Sequence, residues 1–318
     1  MHSSENVYRH SGIMGAGPAA MLVAGMATAA VLGIVYGFLN VWNPLLYVQF
    51  FATWGYALAL GWMVGRAGIA SKCRSPLMAA VSGTVVGVAG LYVAWASFMF
   101  ALVQKFGSPG AGFSLLSCLM SPLGVLSFVP TLAGAGWFNL FGWTPTGVAL
   151  YAFWLVEAGM IVGGSVMYAK AELDKRVFCE SCNGWCEVKP DVARAELQIL
   201  PKLQQALGEG DLAALVDVPP PAAGDRSYLR VDQHLCPACG NMGTYKVVRY
   251  ELELNKDGKE ETKETDFTPH VLLTASNIVH LGELVARGKI QKIRRPAKDA
   301  PRSSAAESDA ATEPPQES

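Results

Sequence analysis

Four apolar runs, each about as long as a bilayer is thick, constrain this chain more than any other feature. They are PAAMLVAGMATAAVLGIVYGFL (18–39), LLYVQFFATWGYALALGWMVG (45–65), PLMAAVSGTVVGVAGLYVAWASFMFAL (76–102) and TGVALYAFWLVEAGMIVGGSVMYA (146–169). A helix of about 20 apolar residues crosses a hydrocarbon core of roughly 30 Å. Charge divides the chain at the same place: residues 1–169 hold five Lys/Arg and two Asp/Glu, and residues 170–318 hold twenty and twenty-four. That asymmetry marks two solvents, lipid for the first half and water for the second. Soluble proteins bury helices this apolar only in large cores, and no matching amphipathic shell is visible.

The fold class expected is therefore an α-helical polytopic membrane bundle of four spans, followed by a small α+β C-terminal domain. Positive charge orients the spans. Arg66, Lys72 and Arg74 fill the loop between the second and third runs, and Lys170, Lys175 and Arg176 follow the fourth, whereas 103–145 has only Lys105. The positive-inside rule makes both basic connections cytosolic, and with them residues 1–17 and the C-terminus. The setting this implies is a multi-pass protein of a bacterial inner membrane.

Two rival topologies stand against this one. Ala27-Thr28-Ala29 fits a signal-peptide cleavage pattern, but its apolar run is long and the residues before it are nearly uncharged. A fifth span within 112–143 would put the second half outside; Pro122, Pro130, Gly124, Gly134 and Gly136 break that segment into pieces of about ten residues. The segment 103–145 is accordingly read as outer interfacial or re-entrant structure.

After the membrane, residues 170–295 form the expected cytosolic domain and 296–318 a disordered tail of Pro, Ala, Ser and acidic residues. Leucines at helical spacing over 192–215 predict a helical insertion within 190–222. SYLRVDQHL (227–235) and TYKVVRYELEL (244–254) read as strands, with an Asp-Gly turn and a polar return strand after the second. Ser276 is the expected cap of a last helix at 277–288, with Ile278, Leu281, Leu284 and Val285 as its apolar stripe.

The chemistry lies in two CxxC pairs, Cys179-Glu180-Ser181-Cys182-Asn183-Gly184 and Cys236-Pro237-Ala238-Cys239-Gly240. A tight CxxC turn offers two thiolates to one ion, and a borderline-soft cation such as zinc accepts four in a tetrahedron. Pro237 pre-sets its turn, and Gly240 or Asn183 can take a positive backbone angle that aims amide N–H groups at sulfur. These turns and the hairpin after them resemble the zinc-ribbon superfamily, in which two such turns clamp one zinc ion. The resemblance implies a structural zinc bound by Cys179, Cys182, Cys236 and Cys239. Ribbons more often separate their pairs by about 15 to 20 residues, but a longer closed loop costs only about 0.6 kcal/mol per doubling. Thiol redox chemistry is the rival; a reducing cytosolic face and the lack of a βαβ pattern argue against it. Cys186 reads as a spare thiol, with a substitute ligand as the alternative, and His234 as a strand residue.

Each span also carries a GxxxG, at Gly33/Gly37, Gly61/Gly65, Gly83/Gly87 and Gly159/Gly163, read as bundle packing with a homo-oligomer contact as the smaller share. Glu157 is the one acidic residue within a span. It is expected to face the bundle interior with Thr28, Tyr56 or Tyr92 as hydrogen-bonding partner. Arg287, Lys289, Lys292, Arg294, Arg295 and Lys298 form a basic cluster suited to an anionic surface. No Walker loop, nucleophile elbow, HExxH helix or carboxylate pair is present. The favoured function is a membrane-embedded scaffold or adaptor in the lipid bilayer that presents a zinc module to a cytosolic protein partner. The alternatives are a small transporter or membrane enzyme using Glu157, and a membrane-tethered nucleic-acid-binding ribbon.

Overall fold

The computed structural model describes residues 6–43, 45–107, 110, 112–139, 142–198, 200–222, 225–254 and 260–294. The chain divides into two compact units: residues 8–188 with 234–244, and residues 1–7 with 189–233 and 245–318.

The larger unit is built on four long helices, α1 (Gly17–Trp42), α2 (Leu46–Ala70), α3 (Pro76–Phe106) and α6 (Val148–Asp174). Prolines at the first turn start α1 and α3, and Ser75 caps α3 by accepting the Met78 N–H at 3.3 Å. Between α3 and α6 lie two short helices, α4 (Leu115–Leu119) and α5 (Pro122–Ala135). With 14 residues, α5 reaches only about 21 Å at the rise of an α-helix, too short to be a fifth span.

Three of these helices, α1, α3 and α6, are long and apolar enough to cross a membrane. The fourth expected span, α2, does not reach that apolarity, because Gln49, Thr53, Trp54, Tyr56 and Trp62 interrupt its aliphatic residues. The outward faces of the bundle are apolar: Val23 is 72% exposed, Leu77 71%, Leu155 75% and Val148 86%. Water is the wrong solvent for such a surface, and the helices point to a membrane protein.

Three of the four GxxxG pairs sit at helix crossings. A Cβ on Gly37 would lie 2.5 Å from the Ala94 carbonyl oxygen; on Gly61 it would lie 2.7 Å from that of Ser165, and on Gly83 2.9 Å from the same oxygen. The fourth pair departs from the packing expectation: Gly159 and Gly163 have nothing within 4 Å of such a Cβ, and Gly164 makes the close approach instead, 2.8 Å from the Ala57 Cβ. Register along α6 turns Gly159 away from its neighbours.

The larger unit also contains the knuckle strands β1 (Phe178–Cys179) and β2 (Gly184–Trp185), an antiparallel pair that makes the first CxxC turn a tight hairpin. The smaller unit is a sheet with helices. Its strands are β3 (Glu187–Glu196), β4 (Ser227–Leu235), β5 (Gly243–Leu254), β6 (Glu260–Asp266) and β7 (Val271–Leu272), in the order β3-β4-β5-β6 with β7 also pairing β5. β5 and β6 are antiparallel, from Val248 opposite Asp266 to Leu254 opposite Glu260. Helices α7 (Pro201–Glu209), α8 (Ala213–Val216) and α9 (Ala275–Arg294) supply Leu203, Leu207, Leu215, Leu281 and Leu284 to a core completed by alternate strand residues: Ala193 and Ala195, Leu229 and Val231, Tyr245 and Val247.

Two local expectations change here. Residues 192–196 are strand rather than helix: Ala193 and Ala195 alternate into the core with the period of a strand, and the helix begins only at Pro201. The last helix starts one residue before Ser276. Its cap is Thr274, whose hydroxyl accepts the Asn277 N–H at 3.2 Å, and Ile278 is 58% exposed rather than part of the buried stripe.

Candidate metal centre

The four cysteines of the two CxxC pairs come together although 53 residues separate Cys182 from Cys236. The Sγ atoms of Cys179, Cys182, Cys236 and Cys239 all lie within 4.8 Å of one another, and those of Cys179 and Cys239 are 3.9 Å apart. All four are free thiols, and 3.9 Å is far beyond the roughly 2.05 Å of a disulfide. The arrangement is one that can hold a metal ion.

Local backbone chemistry explains each turn. Asn183 (φ 50°) and Gly240 (φ 67°) both occupy the left-handed region directly after the second cysteine of their pair, as the sequence predicts. The Gly240 N–H closes the second turn onto the Cys236 carbonyl at 2.9 Å, and Cys236 N–H reaches the Met242 carbonyl at 2.9 Å. The backbone amides of Met242 and Asn241 point at Cys239 and hold its thiol down at about 6. Burial pushes the Cys179 thiol up, and Cys182, hydrogen-bonded to Cys239 and then desolvated, is pushed up to about 12. Of these three, Cys239 carries the most preformed thiolate.

Cys186 packs against this group with Val177, and burial first, then the neighbouring cysteines, push its thiol up to about 12. It is a buried neutral neighbour of the four. His234 is likewise buried, on β4.

The knuckle rests on the end of the helical bundle through contacts that sequence reasoning missed. Trp185 Nε1 donates to the Ile69 carbonyl at 2.9 Å, Lys72 Nζ donates to the Asn183 carbonyl at 2.7 Å, and Arg74 pairs with Glu180. The Arg74 guanidinium also lies 4.3 Å from the centre of the Phe178 ring. From the N-terminal segment, the Tyr8 hydroxyl accepts the Phe178 N–H at 3.0 Å, while Gly12 N–H donates to the Arg74 carbonyl at 3.1 Å. The available signal was the one used for orientation: the same basic residues that mark the loop's side supply its contacts.

The intramembrane candidates resolve differently. Glu157 is hydrogen-bonded to none of the three expected partners. Thr28 donates to Ala24 in its own helix at 2.9 Å, Tyr92 donates to the Leu119 carbonyl at 2.7 Å, and Tyr56 stacks on Tyr36 with ring centres 5.0 Å apart. Tyr36 is the partner, its hydroxyl 2.5 Å from Glu157 Oε1. α1 and α6 both run past their apolar stretches, so Glu157, nine residues from the start of α6, lies level with the last turns of α1 rather than with its middle.

Of the basic cluster, Arg287 donates to the Val216 carbonyl and so caps the short helix α8. Lys289, Lys292 and Arg294 fall on the last turns of α9, where their side chains are not described, and Arg295 and Lys298 lie outside the described residues. Compared with known proteins, the chain matches no family model, no curated protein and no solved structure.

Proposed function

We propose that this protein is a membrane-embedded scaffold whose four-cysteine knuckle binds one structural zinc ion and whose sheet domain meets a protein partner in the cytosol. The observation that carries the reading is the convergence of four sulfurs from two distant turns. A zinc–sulfur bond of about 2.3 Å places tetrahedral sulfurs about 3.8 Å apart, and Cys179 and Cys239 stand at 3.9 Å. Four thiolates leave no position for water, which favours structure over catalysis. Bound zinc would supply a cross-link between the two turns. The chain's own residues, Trp185, Lys72 and Arg74, tie the first turn to the α2–α3 loop.

Geometry also supports α2 as a fourth crossing. The N-terminal end of α1, the α2–α3 loop and the segment after α6 meet at one place, through Gly12 with Arg74 and Lys72 with Asn183. A chain that returns there before α3 must run the length of the bundle in α2, whose 25 residues span about 37 Å. The positive charges at that end favour the cytosol. Support for a partner-binding role comes from the separate core of the sheet unit and from β6, an edge strand whose residues are all exposed.

The test is crosslinking and pull-down from intact membranes, using the full chain and the chain ended after residue 176, with metal analysis of the purified protein. One zinc per chain and a protein captured only by the full chain support the reading. The same captured set with and without the C-terminal region, or a purified protein free of metal with its knuckle ordered, sinks it.

A further inference from the structure

A cavity of about 950 Å³ opens within the helical unit at the end opposite the knuckle, lined by residues of α1, α2, α3 and α6 and of the segment after α5. Its walls include Trp95, Phe98, Trp137 and Trp154, and its polar floor is Tyr36, Asn40, Gln49, Thr53 and Glu157. Volume and lining match those of small-molecule sites, mostly apolar with a few convergent polar groups.

The floor combines donors and acceptors, and the Asn40 amide bonds both Tyr36 and Glu157. Gln49 Nε2 donates to the Tyr36 oxygen at 2.7 Å. Beyond that, three close oxygen pairs meet there: Tyr36 with Glu157 at 2.5 Å, Tyr36 with Thr53 at 2.6 Å, and Thr53 with the Gln49 carbonyl at 2.8 Å. The hydroxyls of Tyr36 and Thr53 bring two of the three protons those contacts need; the third comes from the Glu157 carboxyl itself or from a protonated ligand beside it. Asn40 Oδ1 is buried with no hydrogen-bond partner among the described residues, an arrangement that costs free energy until a donor arrives. Among the described residues, Glu157 is the one acidic side chain of the lining and Lys105 the one basic. Lys105 is engaged with the Val41 carbonyl at 3.0 Å and lies 4.5 Å from the centre of the Trp42 ring. A protonated amine brings both a proton for those contacts and an N–H donor for the Asn40 oxygen, and its apolar body suits the indole and phenyl walls, whose faces attract cations.

We propose that this cavity binds an organic ammonium ion, a protonated amine on an apolar body, with Glu157 and Asn40 accepting from its N–H groups. Such a cation can come from a free amine or from the ethanolamine headgroup of a lipid. The inference is independent of the zinc reading, since no cysteine of the knuckle lines the cavity.

The experiment places the full-length protein in phosphatidylcholine nanodiscs and titrates benzylammonium chloride against benzyl alcohol. Trp42, Trp95, Trp137 and Trp154 line the cavity, so intrinsic fluorescence reports occupancy. Saturable binding at least about tenfold tighter for the cation is expected, with that margin lost in Glu157→Gln. Asn40→Leu, which keeps the Tyr36 hydroxyl and the Glu157 carboxyl but removes the amide that bonds both, weakens the cation selectively and carries the test if Glu157→Gln fails to fold. Repeating the titration in phosphatidylethanolamine nanodiscs identifies the source: competition assigns the headgroup, and an unchanged response assigns a free amine. Equal affinity for the alcohol and the cation, an unsaturable response, or binding indifferent to both substitutions overturns the proposal.

Discussion

Trp185, on the second strand of the cysteine knuckle, donates its indole N–H to the carbonyl of Ile69 in the last turn of α2, at 2.9 Å. That carbonyl also accepts the Lys72 N–H at 3.1 Å in the turn that ends α2, so the indole fills its second lone pair and seats the knuckle on the helix end. The ring also meets Phe178 edge-on, with centres 4.9 Å apart. Trp185→Phe should keep the ring contact and lose the hydrogen bond, at about 0.5–1.5 kcal/mol. Faster protease cleavage between residues 176 and 188, with helix content unchanged by circular dichroism, is the expected result; unchanged cleavage would show the bond to be idle.

Removing the proposed metal ion should loosen the knuckle and leave the helices in place. A strong chelator, or Cys236→Ser, is expected to abolish metal binding and expose the remaining thiols to a maleimide reagent. Cys186→Ser should keep the metal, because Cys186 lies outside the group of four and is buried as a neutral thiol. Metal content by mass spectrometry decides it: loss of metal in Cys186→Ser would mean a different ligand set.

The glycines of the spans separate cleanly. Gly37→Ala drives a methyl against the Ala94 carbonyl oxygen at 2.5 Å and the Phe98 nitrogen at 2.8 Å, an overpacking that costs about 1–3 kcal/mol. Gly163→Ala meets nothing within 4 Å and adds helix propensity of about 1 kcal/mol at most. Thermal unfolding in mild detergent should therefore fall for the first and hold or rise for the second. A drop for Gly163→Ala would place another surface on that face of α6.

In the sheet unit, the Tyr245 hydroxyl is fully buried without a hydrogen-bond partner among the described residues. Tyr245→Phe removes an unsatisfied polar group and should hold or raise stability, by about 1 kcal/mol, whereas Leu207→Ala in the same core should cost about 2–5 kcal/mol. Denaturant midpoints for the two variants test this contrast; a clear loss in Tyr245→Phe would reveal a partner for the hydroxyl.

His10 sits half-buried near the knuckle, and burial holds it below the ordinary histidine range. The unfolded chain, titrating near 6.5, then binds more protons than the folded one in the window between the two values. Stability should decline as pH falls through about 6.5 and level off below the folded value. The difference between wild type and His10→Gln, followed as melting temperature from pH 7.5 to 5, should shrink on acidification. A difference that stays constant with pH would remove His10 from the account.

By itself the sequence determined what is local or compositional. Apolar length and charge asymmetry are sums over neighbours, so the long helices were legible, as were β4, β5 from its alternation, and the positive-angle turns at Asn183 and Gly240 from residue chemistry. The four thiols could be named because a CxxC turn needs no distant information. Tertiary structure alone decided which face of each element met which neighbour. Tyr36 rather than Tyr56, Tyr92 or Thr28 reaches Glu157 because helix lengths outside the apolar runs set the depth at which side chains meet. Gly164 rather than Gly159 or Gly163 packs because one residue turns a helix by about 100°. Residues 192–196 became strand because β4 offered a partner edge, and pairing with a strand more than 30 positions away leaves no mark in the leucine spacing that suggested a helix.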